Sequence, residues 1–586
     1  MKLRILAPGL GLLAAGCVTV PAFTDPDLPP YQLNRSTVVS SLGVPADRMF
    51  EATQNWSDKT RTDFWHIDQG SLTTPYDLAL AVEQYDSEAL FFADENIARY
   101  KYVPQNKGGP NPDGLPLGFT KSQKQANGET YIGLTCAACH STVMTYKGTG
   151  LMIDGAPSQA DFQSFFEDLT LAFWKNRDDP AKFARLTRRL LGDNPSEAEK
   201  EALETRLEKA IGRMIAREKM NATKSRYGYG RVDAVGQIFN SVAVQNIGIP
   251  ENRVDPNAPV NYPFLWGIHQ SDRVQWNGFA PNIVKGRKNV RIFGPFVRNA
   301  GEVLGVFGEI DIPRDAQGKK VTYPNSTRVQ NLLGIEEWLE GLAPPPWPED
   351  ILGPIDRGLA AKGEEIYKGK GGCIGCHTIP ETPFHCYNAT MVPLEKIGTD
   401  PGQALNSLQT GKTGPLEGRL IRVSESDGIL GPEEPILKML VHQVIWGVLN
   451  DVEANKLEAA RTVGGLFFHN ISQGDCDIKP SDFKSFKAYK ARPLNSIWAT
   501  APYLHNGSVP NLRALLTPEE DRPKTFKLGG WEFDPVNVGY ADYDGPHAFE
   551  FDTSLKGNSN KGHNWKSIQN MTDADRDALI EYLKTL

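Results

Sequence analysis

Cys136-Ala-Ala-Cys139-His140 and Cys373-Ile-Gly-Cys376-His377 are two copies of one pattern, and their reading decides what kind of fold this chain must adopt. Two cysteines three apart, followed at once by histidine, allow both thiols to add to the vinyl groups of a haem while the imidazole becomes the proximal ligand of its iron. At this chain's cysteine and histidine frequencies a chance match is expected on the order of 0.001 times per chain, so two copies are not coincidence. A zinc knuckle would need its cysteine pairs about 15–20 residues apart, whereas these begin at residues 136 and 373. A redox dithiol would account for the cysteines but not for His140 and His377. Two covalently attached c-type haems are therefore expected.

Such attachment implies export. The N-terminus reads Met1-Lys-Leu-Arg4, then an apolar run from Ile5 to Ala15, then Gly16-Cys17. A short charged start and an apolar run too short to span a bilayer are the marks of a signal peptide. A small residue before Cys17 resembles a lipoprotein cleavage point, so residues 1–16 are expected to be removed and Cys17 lipidated. That would leave the protein exported, periplasmic and lipid-anchored at the outer membrane, touching membrane only through the anchor. The alternative is ordinary signal cleavage that removes Cys17. Cys386 and Cys476 are left over, and in an oxidising compartment they are expected to pair.

Across 586 residues, 40% hydrophobic and 23% charged content fits a globular protein with a sizeable core. The net charge of −8 supplies no cationic field for phosphate backbones, which excludes nucleic acid as the natural partner. The best boundary is Gly341-Leu-Ala-Pro-Pro-Pro-Trp-Pro-Glu-Asp350, because consecutive prolines can neither continue a helix nor donate to a sheet. It divides an N-terminal haem domain, 17–343, expected to be catalytic, from a C-terminal cytochrome c-like domain, 344–586. After the boundary Leu359 to Lys370 reads as a helix leading into Cys373. Thr572 with Asp575 caps a last helix whose stripe is Leu579, Ile580, Leu583 and Leu586. In the first domain Ser196-Glu-Ala-Glu199 is a capping box ahead of Leu203, Leu207, Ile211, Met214 and Ile215. The expected class is mainly α with extensive loops, two cytochrome c-like haem domains greatly expanded by insertions.

The sixth ligand decides whether an iron relays electrons or binds a small molecule. Between residues 18 and 343 the histidines besides His140 are His66 and His269, so an open position at the first iron is plausible; Met144, Met152, Met214 and Met220 leave methionine ligation open. The second half offers His385, His442, His469, His505, His547 and His563 besides His377. His505 stands out because Pro502, Asn506-Gly507 and Pro510 make its loop rigid.

The block Arg492-Pro-Leu-Asn-Ser-Ile-Trp-Ala-Thr-Ala-Pro-Tyr-Leu-His505-Asn-Gly-Ser-Val-Pro510, with Gly230-Arg-Val-Asp-Ala234, Val274-Gln-Trp-Asn-Gly278 and the two haem motifs, resembles the large dihaem c-type oxygenases. That family includes the bacterial rubber oxygenases and the fatty acid 10S-dioxygenase and diol synthase pair, within the wider clan of dihaem cytochrome c peroxidases. The resemblance implies His140 as ligand of a reactive, dioxygen-binding iron and His377 with His505 as ligands of a second, relay iron. It also implies dioxygen addition to a carbon–carbon double bond of an unsaturated fatty acid or of cis-polyisoprene. Trp266, Trp276 and Phe279 are expected to wall a dry apolar pocket. The rivals are a dihaem peroxidase drawing on an electron donor, against which the chain length weighs, and a non-enzymatic electron-transfer cytochrome.

Overall fold

The computed structural model describes residues 34–35, 42, 44–282, 293–313, 323–380, 386–421, 428–449 and 486–586. Helices joined by long loops dominate, with small sheets between them. The signal segment, Cys17, His385, His469 and Cys476 lie outside the described residues. Cys386 is disulfide-bonded. No helix among the described residues is long and apolar enough to cross a membrane.

The first haem motif runs straight into a β-hairpin. Strand Ser141–Tyr146 pairs antiparallel with Thr149–Asp154 through Lys147 and Gly148, whose φ of 49° and 74° fit a tight two-residue turn. Thr149–Asp154 then pairs in parallel with Met49–Glu51. Buried Arg61, on the helix Asp58–His66, forms ion pairs with Glu51 and with Asp154 at 2.6 Å, and Trp65 Nε1 donates to Asp154 at 2.6 Å. This knot pins the hairpin, and so His140 at its head, to the helix.

The helix Glu197–Met220 starts at the expected capping box and buries Leu203, Leu207, Ile211 and Met214. Asp573–Lys584 starts at Thr572 with its own box and buries Leu579, Ile580 and Leu583. It crosses Arg357–Lys368, the helix expected before Cys373, so closely that a Cβ on Gly363 would stand 2.0 Å from the Ala578 carbonyl oxygen. Only glycine permits that approach. The proline stretch does not separate the packing: one hydrophobic core takes in Met152, Trp266, Trp347, Trp498 and Leu579 from both sides of it. The Pro345 carbonyl accepts from Ser496 Oγ at 2.7 Å and Trp498 Nε1 at 3.1 Å.

A buried charge cluster braces the helices of the first half. Glu83, fully buried, pairs with Lys182 at 3.3 Å, Arg185 at 2.7 Å and Arg189 at 2.5 Å on the helix Pro180–Leu191. Burial acts against its charge, but the hydrogen bonds from the three cations win and hold the carboxyl down at about 2. A carboxylate depressed on folding stabilises fully above its ordinary pKa and loses that contribution as pH falls through the folded value. Glu83→Gln should cost about 3 kcal/mol at pH 7, the lower end for a broken buried pair because both arginines keep partial contact with water. Denaturant titrations of variant and wild type are expected to converge as pH falls from about 4 towards 2.

Candidate haem sites

Both motifs fold alike. Cys136–Ala138 and Cys373–Gly375 each form one 3-10 turn, and the backbone N–H of His140 and of His377 donates to the carbonyl of the first cysteine at 2.9 Å. The four thiols are unpaired with one another. Burial pushes Cys136 and Cys139 up to about 12 and Cys373 to about 11, the opposite of the lowered thiol that a redox dithiol requires. His140 Nδ1 donates to the Pro263 carbonyl at 2.8 Å, and His377 Nδ1 to the Arg492 carbonyl at 2.7 Å. Such a bond fixes the tautomer and leaves Nε2 as the metal-binding nitrogen. Burial holds His140 down at about 4, so its imidazole is neutral, as a ligand must be. Free thiol pairs and neutral imidazoles anchored through Nδ1 fit a c-type haem at each motif.

The surroundings differ. Ala137 and Ala138 of the first motif are buried, and Tyr262, also buried, stands edge-on to the His140 ring at 6.1 Å. Gln69 and Glu302 lie by the thiols: Cys136 Sγ is 3.4 Å from Gln69 Oε1, and Glu302 accepts from Gln275 Nε2 at 2.8 Å. Burial raises the pKa of Glu302 while Arg298 opposes the rise. In the second motif Ile374 is 40% exposed, so that site reaches the surface.

Among the described histidines it is His563, not the expected His505, whose ring faces His377. Their centres are 6.3 Å apart with planes 22° from parallel. Two imidazoles on opposite sides of one metal, each with a nitrogen roughly 2 Å from it, have ring centres roughly 6 Å apart. His563 Nδ1 is buried without a hydrogen-bond partner, and burial, with His377 nearby, holds its imidazole down at about 3. The His505 ring stacks on Tyr489 at 4.1 Å and meets the edge of Trp276 at 6.4 Å. His66 bonds through Nδ1 to the Phe119 carbonyl at 2.8 Å, and His442 to the Leu420 carbonyl at 2.7 Å and the Tyr323 hydroxyl at 2.9 Å. Both are core residues.

The three aromatics expected to form one wall do not meet. Trp266 stacks on Phe264 at 4.7 Å inside the main core and gives its indole N–H to the Asn495 carbonyl. Trp276 packs against the cluster of Val392 and Tyr489 and donates to the Asn261 carbonyl, while Phe279 joins the separate cluster around Phe239 and Trp446. The turns between them, at Gly267, Gln275 and Gly278 with φ of 66° to 67°, send each ring to a different side. Arg492, Tyr262 and Glu302 were not singled out from sequence, and His563 only as one of six candidate histidines; Arg492 carried a signal as the first residue of the 492–510 block.

That block is locked to Gly230-Arg-Val-Asp. Buried Arg231 donates to the carbonyls of Tyr227 at 2.8 Å and Asn506 at 3.2 Å and to Asn558 Oδ1 at 2.9 Å, and lies over the Phe551 ring at 4.2 Å. Asn506 Nδ2 in turn donates to the Gly557 and Ser559 carbonyls at 3.1 and 3.0 Å.

A family model described as RoxA-like, cytochrome c-like matches residues 488–527, the segment of Arg492 and His505. This segment is similar to RoxA-like cytochrome c domains, which supports c-type haem binding by the protein. Over 633 aligned residues the chain is 31% identical to the "Uncharacterized protein y4iJ" of Sinorhizobium fredii (strain NBRC 101917 / NGR234), covering 98% of this chain and 97% of that protein; it belongs to the same family. The "Uncharacterized protein y4iM" of the same strain is 26% identical over 384 residues, 59% of this chain and 69% of its own.

Removing the guanidinium that ties these segments together leaves several buried carbonyls unpaired. Arg231→Ala should destabilise the protein by about 3 kcal/mol or more, seen as a lower denaturation midpoint with haem still attached.

Proposed function

We propose that the chain carries two c-type haems and works as a haem-dependent dioxygenase on a carbon–carbon double bond of an unsaturated apolar substrate. An unsaturated fatty acid giving a hydroperoxide is favoured over cis-polyisoprene giving two carbonyls. In either case both atoms of one dioxygen enter the product, so no outside reductant is consumed. When bound, the haem at His140 supplies dioxygen activation and the haem at His377 supplies electron transfer.

What supports the division of labour is the contrast between the two histidines. His377 has a second imidazole near it, that of His563, at a ring spacing that would suit a shared iron, and this reading takes His563 in place of His505 as its second ligand. His140 has no such partner among the described residues; its ring neighbour is Tyr262. The Pro263 carbonyl orients His140, and the buried alanines and Tyr262 around the motif exclude water. The exposed second motif suits electron exchange with a donor protein. Export and a lipid anchor at Cys17 belong to the same reading, and an anchored enzyme is better placed for a diffusible acyl chain than for an insoluble polymer.

One observation favours a peroxidase instead: Glu302, half-buried and within electrostatic reach of Cys136 and Cys139, with a raised pKa and a hydrogen bond from Gln275, can hold and move a proton as peroxide cleavage requires.

The purified protein should consume dioxygen with oleate or cis-polyisoprene without added peroxide, and labelled dioxygen should place both atoms in the product. Rapid oxidation of a reduced cytochrome by peroxide, with no oxygen uptake on any unsaturated lipid, would replace this reading with the peroxidase. For the second iron, His563→Ala should convert one low-spin centre to high spin in electron paramagnetic resonance, while His505→Ala leaves both signals in place. The reverse outcome would return the ligand to His505.

A further inference from the structure

Arg492 touches the support of both proximal histidines. Its backbone carbonyl holds His377 Nδ1. Its side chain reaches the other way: Nη2 donates to the Phe264 carbonyl at 2.7 Å, and the guanidinium carbon lies 3.6 Å from the centre of the Phe264 ring and 5.3 Å from that of Trp276. Phe264 directly follows Pro263, whose carbonyl holds His140 Nδ1. One residue therefore joins the seats of two imidazoles that belong to motifs more than two hundred positions apart. Its Nη1 is buried without a hydrogen-bond partner among the described residues. A guanidinium stays cationic at neutral pH.

We propose that Arg492 is a positioning residue common to both haem sites: it fixes the seats of the two proximal imidazoles and, through its buried charge, sets the reduction potentials of both irons together. The inference rests on the two-haem reading above. Oxidised iron carries one more positive charge than reduced iron, so a cation held in low dielectric near both favours the reduced form of each. Any residue at position 492 supplies the carbonyl to His377; only the side chain supplies the charge and the grip on Phe264. A guanidinium stacked on a ring and bonded to a carbonyl is also a geometry that lysine cannot reproduce.

The test is spectroelectrochemical titration of the full-length dihaem protein, with haem content first counted as the pyridine haemochrome. Fewer than two haems in the wild type would defeat the two-haem reading itself, and this inference with it. With two present, Arg492→Gln should shift both midpoint potentials to more negative values, and Arg492→Lys should return both towards wild type while altering the iron–histidine stretch of the His140 haem in resonance Raman spectra. A shift at one haem only, or at neither, overturns the proposal. Should Arg492→Gln fail to acquire both haems, Phe264→Leu replaces it, removing the ring under the guanidinium and leaving both carbonyls. It should move the potential of the His140 haem, and an unchanged potential there overturns the proposal equally.

Discussion

A histidine that is to hold iron must give up one nitrogen, and in this protein the histidine of each Cys-x-x-Cys-His motif gives its Nδ1 proton to a backbone carbonyl far along the chain: Pro263 for His140, 123 residues away, and Arg492 for His377, 115 residues away. A ring tied to water could rotate and exchange tautomers; a ring tied to a carbonyl in the core presents the same nitrogen at all times. Everything else in the fold has to bring those two carbonyls into place. The hairpin after His140 does so at one end, since the Gly155 N–H donates to the His140 carbonyl and the Leu265 N–H to the Gly155 carbonyl, which sets Pro263 beside the ring. The 492–510 block does so at the other.

This requirement explains why so much of the chain is loop. Carbonyls already bonded within a helix or sheet are poorly placed to capture an imidazole, whereas a loop has them to spare but must be stiffened by other means. Here the stiffening comes from buried side chains that bond to backbone. Arg231 spans Tyr227, Asn506 and Asn558; Asn261 Nδ2 donates to Pro502 at 2.8 Å and Leu504 at 3.1 Å; and Arg61 and Asp154 fasten the hairpin. Each satisfies groups that would otherwise be costly to bury, and each makes the loops around the two sites as rigid as regular structure.

The parts of the fold legible in sequence were those written in local chemistry. Both capping boxes, most of the apolar stripes behind them and the helix before Cys373 follow from residues within a few positions of one another; the structure has them, with Leu586 beyond the end of its helix, Ile215 only partly buried and the helix before Cys373 two residues earlier than expected. The turn at each Cys-x-x-Cys-His motif is local as well. The ring that comes near His377 was not legible, because that is decided by which distant loop arrives beside it. His505 sits in the more ordered-looking stretch, and that order serves its stacking on Tyr489 and the bonds of Asn506 rather than an approach to His377. The grouping of Trp266, Trp276 and Phe279 failed on similar grounds, since closeness in sequence within a loop says little when positive-φ turns intervene. The hairpin after His140 was missed because its residues are buried on both faces and show no alternation.

Two copies of one motif need not do one job, and burial is what separates them here. At the first, the residues between the cysteines are enclosed, and among the described residues the ring beside His140 is the Tyr262 phenol, so the surroundings are dry and of low dielectric. At the second, Ile374 breaks the surface and a second imidazole, that of His563, lies with its ring centre 6.3 Å from that of His377. Arg492 lies between them with Phe264 and Trp276 on either side. The residue that supplies the carbonyl to His377 thus also grips, through its side chain, the stretch of backbone that supplies the carbonyl to His140, so the enclosed site and the exposed one share one support.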